Sequence, residues 1–329
     1  MAPHIKVEKP PAESPVQELI TKMRPDLRNA VESLRATLQD SSLRKEVEEF
    51  KTRILKKIPT HEQTIFSFMP HQLAKTSIFF PLSDSQLKEE NRKINRFEHK
   101  TSWGRIVIEG IKLAIFEEDI FLALLYLAKD KTEKDKDNRP ILKTRLPEVA
   151  KILYGDTSYT NTTYKRIIRT LEHFELVRFE LAVGEWKKKG RERIKTETVT
   201  SFSGIISKHI YNEETQDLTI YWNQDFLAYF LESMLTNINL TLRRQLKKDG
   251  SKALLRFLCT HTDPSRMNIF TVLNAINYNI DQPLFRLRSR LKACITELKK
   301  HGVLGNKTKL FKNDTVYFDI LPPKKSLPA

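Results

Sequence analysis

The chain has 329 residues, with 57 lysines and arginines against 41 acidic residues and a formal net charge of +16. That length allows two domains with sizeable cores, and the cationic excess makes nucleic acid the first partner to consider and an anionic membrane surface the second. No apolar run reaches the ~18–20 residues that span a bilayer, and the N-terminal MAPHIKVEKPPAESP has no signal-peptide core, so the expectation is a cytoplasmic protein that does not enter a membrane.

Residues 1–15 are rich in proline and charge and read as disordered. Residues 16–57 read as helical: Leu27, Val31, Leu34 and Leu38 follow a 4-3-4 spacing, with Pro25 suited to a first turn and Val47, Phe50, Ile54 and Leu55 continuing the pattern. Such a segment serves self-association or a partner, or packs on its own domain. Residues 64–82 hold short apolar runs that read as strands or a tucked loop. Over 94–116 the alternation of Trp103, Ile106, Ile108, Ile111, Leu113 and Ile115 predicts strands, with Gly104 and Gly110 at turn or bulge positions. Phe116-Glu117-Glu118-Asp119 leads into 120–129, a helix apolar nearly all round and therefore buried. Lys129 to Arg139 is a solvated loop of mixed charge.

Leu146 to Tyr154 predicts a short helix with Val149, Ile152 and Leu153 inward, broken by Gly155 and Asp156. Thr160 or Asn161 caps the next helix. In it Tyr164, Ile167, Ile168, Leu171 and Phe174 recur at helical spacing and face a core. The other face carries Thr162, Lys165, Arg166, Arg169 and His173. Cations and hydroxyls on such a face suit a major groove, although a histidine one turn before a helix end is expected simply to be exposed. A strand pair then brackets Lys187, Lys188, Lys189, Gly190, Arg191, Glu192 and Arg193, a basic turn suited to a phosphate backbone. Trp186 is expected to pack on its own strand pair. Any one of these charge runs alone reads as a solvated surface. The order helix, turn, helix and basic hairpin is that of a winged helix, and the combination favours nucleic acid. Residues 198–223 add two strands around the turn Asn212 to Asp217, and Asp225 to Leu235 reads as the helix that closes this domain.

The second half repeats the pattern without repeating the letters. Residues 240–247 form a basic approach segment, Ser251 to Thr260 an apolar helix and Ile269 to Ile276 a second one. Asp281 and Pro283 start a long helix that ends at His301, with Gly302 as its cap. Its apolar stripe is Leu284, Leu287, Leu291, Cys294, Ile295 and Leu298, and Phe285, Arg286, Ser289, Arg290 and Lys300 face away. A hairpin through Lys312-Asn313-Asp314 follows. Cys259 and Cys294, the only cysteines, fall at apolar helical positions and read as buried free thiols.

The expected fold is α+β and helix-rich, two tandem winged-helix domains with an N-terminal helical extension. Its divisions are 1–60, the flexible N-terminus and amphipathic helices; 61–236, the first winged helix; 237–322, the second; and 323–329, a tail. Enzyme signatures are missing: no glycine-rich phosphate loop, no zinc-protease helix and no Gly-x-Ser-x-Gly elbow occurs. Neither a catalytic site, a metal nor a cofactor is expected.

Two winged helices in tandem behind a helical N-terminal extension resemble the theta-type plasmid replication initiators of the TrfA and RepA kind. The residues that carry the likeness are Phe80-Pro81-Leu82-Ser83, Ile115-Phe116-Glu117-Glu118-Asp119-Ile120, Ser251 to Thr260, and Leu284 to Leu304, within roughly residues 75–320. The resemblance implies binding to directly repeated origin sequences, called iterons, one winged helix on each of two successive major-groove faces. It implies opening of AT-rich DNA, recruitment of the host initiator and replicative helicase, and a monomer–dimer equilibrium in which dimers repress the protein's own gene. Lys165, Arg166 and Arg169 then map onto the first recognition helix, and Arg286, Ser289 and Arg290 onto the second. Thr162, Lys312 and the basic turn complete the expected contacts to double-stranded DNA. The rivals are a tandem winged-helix transcriptional regulator, a nucleic-acid-processing enzyme with a dispersed metal site, and an adaptor acting through residues 16–57.

Overall fold

The computed structural model describes residues 65–321, apart from 84, 102–103, 138, 157–158, 190–191, 262 and 264, and without the side chains of 89 and 183–197. The helices predicted within 16–57 and the tail at 323–329 lie outside the described residues, which all fall in one compact unit.

The unit is built on α3 (Ile115–Lys131), the element whose apolar character nearly all round predicted its burial. Ile120, Phe121, Leu122, Ala123 and Leu124 on it are fully buried. The helix begins five residues earlier than predicted and takes in Glu117, Glu118 and Asp119, the first two of which are buried. Before it come β1 (Phe66–Pro70), α1 (His71–Lys75), β2 (Phe79–Phe80), α2 (Glu89–Arg92), β3 (Lys93–Lys100), β4 (Gly104–Ile111) and β5 (Leu113–Ala114). Gly110 in β4 has φ +88°, and an added Cβ there would lie 2.7 Å from the carbonyl oxygen of Leu176. Only glycine lets the strand pass so near that helix end.

After α3 the chain forms β6 (Thr132–Lys134), β7 (Pro140–Arg145), α4 (Leu146–Tyr154) and α5 (Asn161–Leu176). It continues through β8 (Arg178–Lys189), β9 (Glu192–Phe202), β10 (Ile206–Tyr211), β11 (Asp217–Trp222), α6 (Gln224–Glu232) and β12 (Leu235–Asn239). The last third holds α7 (Leu240–Gln245), α8 (Asp249–Leu258), β13 (Ser265–Asn268), α9 (Ile269–Ala275), α10 (Leu284–Lys300), β14 (Lys309–Leu310) and β15 (Thr315–Phe318). β12 pairs antiparallel with β1, so the expected division at 236/237 falls inside a strand. Of the two thiols, Cys294 is buried and Cys259 partly exposed.

Two winged helices are present, and their topology is the same. The first is α3, β7, α4, α5, β10 and β11, with sheet order β10-β11-β7-β6. The second is α8, β13, α9, α10, β14 and β15, with sheet order β13-β15-β14. In each, the last strand sits between the strand preceding the two helices and the strand following them.

This pairing corrects the sequence reading of the first wing. The hairpin that pairs with β7 is β10–β11, and its turn, Asn212 to Gln216, is acidic through Glu213 and Glu214. The basic hairpin β8–β9 is an insertion that pairs with β4 in a separate sheet of order β3-β4-β8-β9. β4 accompanies β8 only as far as Val183. Beyond that point β8 and β9 pair only with each other, through Lys189↔Glu192, for a span of roughly 20 Å at about 3.3 Å per residue.

Candidate nucleic-acid interface

The first candidate recognition helix, α5, starts where the turn chemistry predicts. Thr160 is its N-cap, its hydroxyl accepting from the Thr163 N–H at 3.4 Å. Ile167, Thr170, Leu171 and Phe174 are buried, while Tyr164 and Ile168 are half-buried against the same core. Thr162, Lys165, Arg166 and Arg169 are all exposed, as their spacing required.

His173 departs from that face. It is 3% exposed, and its Nδ1 hydrogen-bonds the Glu117 carboxylate. Neither groove contact nor simple exposure fits it. Glu117 also receives Arg92 and the N–H of Ala114 at 2.5 Å. Its neighbour Phe116 lies under Arg166, the guanidinium carbon 3.3 Å from the ring centroid. Two successive residues at the start of α3 therefore fix α5. Glu117 pins its far end through His173, and Phe116 orients an exposed arginine near its start.

The second candidate recognition helix, α10, buries Leu287, Leu291, Cys294 and Leu298 at 1% exposure or less. Arg286, Ser289 and Arg290 are exposed. Arg290 lies 5.8 Å from the Tyr278 ring centroid, and burial pushes the Tyr278 phenol up to about 12. Arg288, which the sequence reading left unassigned, turns toward the wing. It donates to the carbonyls of Lys312 at 3.1 Å and Phe311 at 2.8 Å and pairs with Asp314. Asp314 holds the left-handed backbone of that turn at φ 56°. Arg288 thereby staples the wing to the helix and leaves Lys312 exposed on its tip.

Lys187, Lys188, Lys189 and Arg193 lie on the paired ends of β8 and β9. Their side chains, Arg191 and the packing expected of Trp186 lie outside the described residues.

The acidic run opening α3 also holds the second winged helix. Glu118 is fully buried and pairs with Arg256 of α8 and with Arg243 of α7, the latter at 3.1 Å. Asp119 pairs with Arg243 at 2.5 Å and with Lys252 at 2.6 Å. Arg243 and Arg256 are 1% and 0% exposed. Within the basic segment 240–247, Arg243 turns its charge inward. Burial pushes the Arg256 guanidinium below its ordinary value against the pull of Glu118. At Arg243, Glu118 and Asp119 together outweigh burial and raise it. The three cations are tied by sequence-distant contacts to two carboxylates, which joins the two winged helices through a charged core.

Among the described residues no group of three or more His, Cys, Asp or Glu is placed to hold a metal ion. None of their helices is long and apolar enough to cross a membrane.

The model of the family described as Initiator Replication protein, WH1, matches residues 106–259. No curated protein matches the chain. Among solved structures, domains 2 and 3 of RctB, in a selenomethionine derivative, align at TM-score 0.47 and 10% identity, covering 77% of this chain and 98% of that one. The Pi initiator protein in complex with iteron DNA aligns at TM-score 0.44 and 12% identity, covering 80% of this chain and 100% of that one. With the family match, the likeness to replication initiators read from the sequence holds over residues 106–259, which are similar to the WH1 region of that family.

Proposed function

We propose that the protein binds directly repeated origin sequences in duplex DNA through its two winged helices and starts replication there. α5 and α10 each enter one of two successive major-groove faces. Thr162, Lys165, Arg166 and Arg169 serve the first face, and Arg286, Ser289, Arg290 and Lys312 the second. Lys187, Lys188, Lys189, Arg191 and Arg193 follow the phosphates from the inserted hairpin. Phosphate neutralisation supplies most of the affinity and the two helix faces supply the specificity. Binding opens adjacent AT-rich DNA, engages the host initiator and replicative helicase, and in the dimeric state represses the protein's own gene. No chemical step falls to the protein itself, and it acts in the cytoplasm.

One observation carries this reading. Two units of identical topology sit in one compact body, and each turns a cationic helix face to solvent. The WH1 match gives that arrangement its context.

The test is footprinting on the DNA flanking the gene, followed by replication of a plasmid bearing the protected region. Protected direct repeats that support replication are expected. A single protected inverted repeat that supports none would make the protein a regulator instead.

A further inference from the structure

The second recognition helix exposes a large apolar side chain beside exposed Arg286, Ser289 and Arg290. Phe285, in the first turn of α10, is 69% exposed, whereas Leu287 and Leu291 of the same helix are fully buried. The i, i+4 spacing sets Phe285 in line with Ser289, beside the line of Arg286 and Arg290. The ring thus belongs to the surface that carries the candidate base contacts, outside the core stripe. First-turn residues of a recognition helix are the ones that reach base edges.

The surroundings of the ring select its partner. The Arg286 guanidinium lies 5.8 Å from the ring centroid, and Arg290 and Lys312 are exposed on the same helix and its wing. An apolar ring set among cations complements a surface that is anionic overall with an apolar spot in it. In the major groove that spot is the 5-methyl group of thymine.

We propose that Phe285 reads a thymine through its 5-methyl group at one position of the sequence bound by the second winged helix. This rests on the DNA-binding reading above and adds to it a residue and a base.

The test uses the full-length protein, wild type and Phe285→Ala, with random-sequence duplex pools copied with dTTP or with dUTP, which differ only in the methyl group. The wild type is expected to enrich a motif with one position where thymine is preferred and uracil is not, the preference falling about fourfold, the worth of one methyl-sized apolar group. Phe285→Ala should lose that preference in the dTTP pool, treat the two pools alike, and keep every other position. If the wild type enriches the same motif equally from both pools, or Phe285→Ala keeps the thymine preference, the assignment fails and DNA binding stands. An unchanged motif with an altered oligomeric state of Phe285→Ala would assign the ring to a protein contact. A wild type that enriches no motif would overturn the DNA-binding reading and this one with it.

Discussion

Replacing Arg256 by methionine tests whether the charged core holds the two winged helices together. Methionine keeps most of the aliphatic volume, so little cavity cost enters. What is lost is the pairing with Glu118 and the hydrogen bond from Nε to the Ala74 carbonyl at 3.3 Å. Glu118 has no exposure to water, and leaving a buried ion without its partner costs about 3–5 kcal/mol. Arg243 remains 3.1 Å from the same carboxylate and keeps part of the compensation, so the expected loss is near the lower end, about 3 kcal/mol. In a unit of this size that lowers the melting temperature by about 6–12 °C. Urea unfolding of the full-length protein measures it, provided the slope is unchanged. The double variant Glu118→Met/Arg256→Met removes the stranded charge and should be more stable than Arg256→Met alone, by at least about 1 kcal/mol. If the two substitutions add to within about 0.5 kcal/mol, the ion pair is not the coupling element and the reasoning is refuted.

Three further outcomes are expected. Phe116→Ala removes the ring under Arg166 and should weaken specific binding by about 0.5–1 kcal/mol with no change on random DNA, as fluorescence anisotropy on both duplexes would read. Arg288→Ala frees the second wing at partly exposed contacts, so a stability loss of about 1 kcal/mol should come with faster amide hydrogen exchange confined to residues 311–315. Neutralising Lys187, Lys188 and Lys189 together should lower affinity for all sequences and flatten the log–log salt dependence by up to about 2.7. An unaltered slope would take the hairpin off the phosphates.

Local signals were enough to find α5 and α10 and the faces they bury. The apolar spacing of Ile167, Leu171 and Phe174, and of Leu287, Leu291 and Leu298, fixed which faces turn inward. By the same geometry Lys165, Arg166, Arg286 and Arg290 came out exposed. The first wing could not be assigned that way. Alternation and charge identify 178–195 as a hairpin, but its sheet is decided by pairing with β4, some 70 residues earlier. The hairpin that completes the winged helix, β10–β11, is acidic at its tip and carries no charge signal for DNA. By sequence His173 is expected to be exposed, Arg243 falls in a basic approach segment and nothing signals that Glu118 is buried. Each is buried beside a partner that arrives from a distant element: His173 beside Glu117, Glu118 beside Arg256 and Arg243 beside Asp119. Sequence periodicity carries no record of such pairs.

Hydroxyl-radical footprinting of Arg166→Ala and Arg290→Ala on one origin repeat tests most directly whether a single chain places two helices in one duplex. Each variant should lose about 1–3 kcal/mol of specific binding. Protection should weaken in one half of the site for Arg166→Ala and in the other half, about one helical turn away, for Arg290→Ala. Loss in the same half for both variants, or in neither, would contradict the account.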